Sequence, residues 1–273
     1  MKILSLFFFA LIHLSLSARS QTYTPDDFQQ MDAPLPMTPE WFKLNGKVDH
    51  QIKVSLSNGN VQFSHFEWEK DTSNEYTLAC GKLIAINQGE FGGGLYFEPL
   101  KPNSKVLING KKSRVENDPW RGGLMVPETN PVLKRIANSV LLKNGIVNSI
   151  FSFKDSLYFL EGLSHLSSSY GILFRLGFEG TSFSISKVFD IGDAPSTYGI
   201  YRDTLLLVTR SGLYIIDEKM QKITILKDCF WQGLYPNSVA IRDMEHIYIG
   251  MRGGYALVNI RSKEVQFFRL LET

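Results

Sequence analysis

The sequence predicts an all-β fold built from a repeated four-stranded unit. Three observations carry this. Helical periodicity is scarce, and short apolar runs bounded by Gly, Asn, Asp and Lys recur instead. Two segments of the C-terminal third align without a gap at an offset of 42 residues. The middle runs, such as Leu205-Leu-Leu-Val208, are apolar throughout, as expected of strands covered on both faces.

The aligned segments are Asp203-Thr-Leu-Leu-Leu-Val-Thr-Arg-Ser-Gly-Leu-Tyr-Ile-Ile-Asp217 and Glu245-His-Ile-Tyr-Ile-Gly-Met-Arg-Gly-Gly-Tyr-Ala-Leu-Val-Asn259. Arg210 falls on Arg252 and Gly212 on Gly254. Each segment follows a Pro-led run, from Pro195 or Pro236, and precedes another β-like run, at 223–226 or 265–268. A third unit reads 148–153, 155–161, 171–176 and 183–189, with a longer middle loop at 162–170. A fourth reads 76–80, 82–87, 94–97 and 105–108. The hairpin signal at 51–68, with Ser57-Asn58-Gly59-Asn60 at its turn, supplies strands of another unit. Residues 113–146 are strand-like but irregular, and 21–40, with Pro34, Pro36 and Pro39, read as an extended lead-in.

Four strands per unit at a period near 42 is the pattern of a β-propeller. A β-sandwich also uses short strands but does not predict a gap-free repeat. The length accommodates five or six blades, and five is the expectation, within one domain at 41–273. The segment Ile247-Tyr-Ile-Gly-Met-Arg-Gly-Gly-Tyr-Ala-Leu-Val258, with Leu234-Tyr-Pro-Asn-Ser-Val-Ala-Ile241, resembles the repeat of uncharacterised exported bacterial propeller proteins. That resemblance covers about residues 145–270 well and 75–110 loosely, and implies a blade, not an activity.

Met1-Lys2, an apolar run at 3–16 and small residues at 17–20 have the layout of a secretory signal cut before Gln21. The apolar run is short for a spanning helix. Periplasmic or secreted localisation is therefore expected, with no membrane span after cleavage. Loss of Lys2 and Arg19 takes the formal charge from +2 to 0, which removes any general drive toward nucleic acid. Cys80 and Cys229 lie 149 residues apart; export permits a disulfide, and two buried thiols are the alternative.

A propeller concentrates its ligand contacts at one end of the channel, on loops joining second to third strands and blade to blade. The repeat alignment assigns Glu90, Phe91, Glu161, His165, Arg210 and Arg252 to the first kind of loop. Asn148, Ser196, Thr197, Asn237 and Ser238 fall on the second kind. Arg210 and Arg252 suit a carboxylate or sulfate. Glu90 or Glu161, with His165, suits acid–base work. Phe91, Tyr170 and Trp231 suit stacking on a sugar ring or apolar group. In the plainer reading, Glu161 pairs with an arginine of the next blade, and both only satisfy the channel wall.

The stretch Gly89-Glu-Phe-Gly-Gly-Gly-Leu-Tyr-Phe-Glu-Pro99 is not a phosphate loop, since neither Lys-Ser/Thr nor a helix follows it. It reads as a second-to-third-strand turn that carries Glu90 and Phe91 inward. No His-Glu-x-x-His, calcium loop or Gly-x-Ser-x-Gly elbow occurs, and no metal or cofactor is expected. Trp120-Arg-Gly-Gly123 offers an aromatic platform or a covered loop. The expected function is binding of a small polar ligand, glycan or protein partner at the channel mouth. The alternatives are an exported propeller enzyme, glutaminyl-cyclase-like or glycan-active, and a scaffold with no small-molecule site.

Overall fold

The computed structural model describes residues 21–67, 74–112, 136, 138–166 and 168–271, without the side chains of Phe91 and Lys112. The expected signal at 1–20 and the Trp120 platform lie outside these residues. The chain is all-β, in five sheets whose strands pair almost entirely antiparallel.

In the first sheet, Ile52–Ser57 and Asn60–His65 form a hairpin, and Thr22–Tyr23 pairs on the far side of the latter. Asn58 and Gly59 close that hairpin with φ of 51° and 77°, the double positive φ that matches strand twist. The second sheet runs in order Asn74–Leu78, Gly81–Asn87, Gly93–Pro99 and Val140–Asn144. The third runs Val147–Phe153, Ser156–His165, Ser168–Glu179 and Ser182–Asp190, with Leu107–Ile108 and Lys111–Lys112 on its outer edge. The fourth runs Pro195–Tyr201, Thr204–Thr209, Leu213–Ile216 and Lys222–Leu226. The fifth runs Ser238–Asp243, His246–Met251, Gly254–Asn259 and Glu264–Leu270, and Phe28–Met31 joins it as a fifth strand.

Two expectations are corrected. The fourth strand of the second sheet is Val140–Asn144, which pairs with Gly93–Pro99; it is not 105–108. Val140 and Leu142 bury into the core that holds Leu83, Leu95 and Phe97. Leu107 and Ile108 run parallel to Ser182 and Phe183 of the third sheet and stay half-buried. Nor is 162–170 a loose loop. Ser156–His165 and Ser168–Glu179 stay paired out to His165 and Ser168, so a long hairpin projects there.

The sheets share cores pairwise. One cluster joins the second and third sheets, another the third and fourth, another the fourth and fifth, and another the fifth and first. Ile84, Ile86 and Tyr96 on the second sheet pack instead with Ile136. Cover on both faces explains the second strands: Leu83, Ile84, Leu205 to Val208, Ile247 and Ile249 are all at most 1% exposed. First strands touch in series, with 147–153 against 195–201, 195–201 against 238–243, and 238–243 against 52–57. Val147–Phe153 also meets the first two strands of the second sheet.

Helix α1, Pro39–Asn45, starts with Thr38 accepting from the Trp41 amide and with Pro39 at its first position. It lies on the loop that enters the fifth sheet. Trp41 Nε1 donates to the Gln232 carbonyl at 2.9 Å and Asn45 Nδ2 to the Gly233 carbonyl at 2.6 Å.

Candidate ligand cavity

One cavity of about 900 Å³ is lined by residues in, or directly beside, strands of all five sheets. Phe66 comes from the end of the first sheet, Asn74 and Asn87 from the second, and Asn148 and His165 from the third. Thr197, Tyr198 and Arg210 come from the fourth, and Tyr235 and Asn237 from the approach to the fifth. Helix α1 adds Trp41 and Asn45. Among the described residues the lining contains no Asp or Glu.

Asparagines tie the sheets together at this edge. Asn74 Nδ2 donates to the Asn148 carbonyl at 2.6 Å, Asn87 Nδ2 donates to Asn148 Oδ1, and Asn148 Nδ2 donates to the Gly162 carbonyl at 3.0 Å. These amides are anchored by the fold.

Glu90 and His165 meet at the same end. Glu90 sits in the short 3-10 turn Gly89–Phe91, and its Oε2 lies 2.8 Å from His165 Nδ1. Both side chains are close to half exposed. The projecting hairpin carries His165 across to the neighbouring sheet. The Phe91 side chain lies outside the described residues.

Glu161 does not line the cavity. It is 6% exposed, and its Oε2 lies 2.5 Å from Lys143 Nζ. The ammonium meets it off the axis of a hydrogen bond, so the contact is an ion pair. The same ammonium sits 4.7 Å from the centroid of the Phe174 ring. Gly145 makes room for the pair: a Cβ there would lie 2.6 Å from the Glu161 carboxylate, and its φ of 148° disfavours a side chain. Burial, and then the Glu161 charge, push the Tyr170 hydroxyl pKa upward.

The two repeat-related arginines differ. Arg252 is committed: Nη1 donates to the Asn45 carbonyl at 2.5 Å, and the guanidinium lies over the Tyr235 ring at 4.4 Å. Arg210 lines the cavity half-buried, with its backbone amide donating to the Ala194 carbonyl. Among the described residues its guanidinium has no hydrogen-bond or ion-pair partner. An arginine pair around one anion is therefore replaced by Arg210 alone. Asn237 Oδ1 accepts from Ser238 Oγ at 2.7 Å, while its buried Nδ2 has no partner among the described residues. Trp231 is fully buried, its Nε1 donating to the Thr209 carbonyl at 3.2 Å, and offers no stacking surface.

Asp193 organises this end and carries no motif that marks it in the sequence. Its carboxylate is buried and accepts from Ser169 Oγ and Thr209 Oγ1, both at 2.6 Å. It also accepts from the amide and hydroxyl of Ser211, both at 2.9 Å. Burial alone would raise its pKa, but the bonds from Ser169, Thr209 and Ser211 outweigh that and hold it below the usual carboxylate value. The staple joins the projecting hairpin to the turn that carries Arg210. Among the described residues no group of three His, Cys, Asp or Glu side chains could hold a metal ion, and no helix is long and apolar enough to cross a membrane. Cys80 and Cys229 are both free thiols.

No family model matches the chain, and no curated protein matches it. A solved structure described as S. cerevisiae Dbp5 L327V bound to Nup159, Gle1 H337R, IP6 and ADP is similar at 10% identity. That match covers 78% of this chain and 58% of that one, with a TM-score of 0.27, and carries no argument about function.

Proposed function

We propose that the five sheets are the blades of a five-bladed propeller and that the cavity at one end is its ligand-binding mouth. The chain then acts as an exported binding module for a small polar ligand. One observation carries this reading: a single concavity is lined by polar residues in or beside all five sheets, and among the described residues the Arg210 guanidinium has no partner. The volume suits a small molecule of one or two rings. Serial contact between first strands and shared cores between successive sheets support the propeller.

Calorimetric titration with mono- and disaccharides, sugar acids and short peptides tests the binding. Saturable binding that Arg210→Gln weakens is expected. Binding that is untouched by Arg210→Gln and by bulky substitution at Ser196 moves the site elsewhere.

A second reading is an exported enzyme, favoured by the carboxylate–imidazole pair Glu90–His165 beside the cavity. The ion pair to Lys143 and the burial of Glu161 leave that reading a single accessible carboxylate. Turnover abolished by Glu90→Gln would favour it over binding alone.

A further inference from the structure

We infer that the cavity selects a ligand bearing a carboxylate, held by the guanidinium of Arg210. This rests on the reading of the cavity as a binding site and specifies its ligand. The asparagines and the histidine of the lining are largely spent. Asn45, Asn74, Asn87 and Asn148 donate to oxygens of the protein, and His165 is paired with Glu90. Among the described residues the hydroxyls of Ser149, Ser196, Thr197, Tyr198 and Tyr235 have no acceptor, and neither has the Arg210 guanidinium, the one arginine head group of the lining. Arg210 enters the lining from the turn that follows the second strand of the fourth sheet.

The charge balance points the same way. A half-buried guanidinium with no counter-ion is attracted to an oxyanion, and its planar fork matches the two oxygens of a carboxylate. The lining offers no carboxylate to compete for it, and Glu90 at the rim is paired with His165. Tyr198 and Tyr235 supply aromatic wall for the body of such a ligand.

The test is isothermal titration of the purified protein with matched pairs. D-glucuronate is compared with D-glucuronamide, and an N-acetyl dipeptide with a free C-terminus is compared with its C-terminal amide. Tighter binding of the acid by about tenfold or more in either pair is expected, one unpaired charge contact being worth roughly that factor. The pair that responds distinguishes a sugar acid from a peptide terminus. Arg210→Gln should abolish the acid-over-amide preference, and Arg210→Lys should restore part of it. Melting temperatures within about 3 °C of the parent certify folding of each variant. Equal binding of acid and amide, or a preference that survives Arg210→Gln, overturns the carboxylate inference and leaves the binding site standing. No binding of any of the four probes overturns both.

Discussion

Glu161 and Lys143 form an ion pair between the third and second sheets, the carboxylate buried and the lysine partly exposed, with Oε2 and Nζ 2.5 Å apart. This relationship takes a carboxylate of the kind acid–base chemistry needs and commits it to holding sheets together. A pair of this kind stabilises little relative to an apolar pair, but breaking it leaves a charge without compensation.

Lys143→Met should therefore destabilise the protein by roughly 3 kcal/mol, because Glu161 is left buried and charged. Lys143→Met combined with Glu161→Gln should recover most of that loss. Urea unfolding of the two single variants and the double variant reads the effect. Additive losses would mean that the pair is not coupled.

Glu90→Gln addresses the half-exposed pair with His165. Exposed ion pairs contribute at most about 1 kcal/mol, so the melting temperature should barely move. A loss of several kcal/mol in urea unfolding would make Glu90 a fold determinant rather than a residue at the cavity rim.

Asp193 predicts an acid-limb effect. Its pKa is lowered in the folded state, so its stabilisation is present above the unfolded carboxylate pKa and is lost as pH falls through the folded value. Asp193→Asn should remove roughly 2–3 kcal/mol at neutral pH, since hydrogen bonds to a charged acceptor are weakened or lost. The variant should then lose less further stability between neutral pH and acid than the parent does. Thermal melts over that range check it; parallel curves would contradict the assignment.

Burial, followed by the charges of Asp228 and Asp193, pushes the Cys229 thiol up to about 12. Cys229 should stay protonated and unreactive at pH 8, while half-buried Cys80 reacts first. Mass spectrometry after iodoacetamide treatment of native protein should find the adduct on Cys80. Equal labelling, or a peptide linking the two residues, would refute this.

The C-terminal units were legible because they repeat without a gap: the strands read around 195–226 and 236–268 lie within a residue or two of those observed. Val140–Asn144 was not, because a long irregular stretch separates it from its sheet and no repeat marker flags it. Residues 163–170 look loop-like, being rich in Ser and bounded by Gly162, yet ladder pairing extends them into a hairpin. Loop position brought Glu90 to His165 and put Arg210 and Asn237 in one lining. It could not distinguish Arg210 from Arg252, since that difference comes from Asn45 and Tyr235, which no repeat encodes. Nor could it show Trp231 as core, because burial depends on the neighbouring sheet.

The central claim is that the concavity lined by residues in or beside all five sheets is where this protein meets its ligand. A crystal structure of the protein soaked with the tightest ligand from the titrations tests it most directly. The account predicts ligand density inside the cavity, with an oxygen within hydrogen-bond distance of the Arg210 guanidinium. Density on the outer faces of the sheets, with Arg210 untouched, would contradict it.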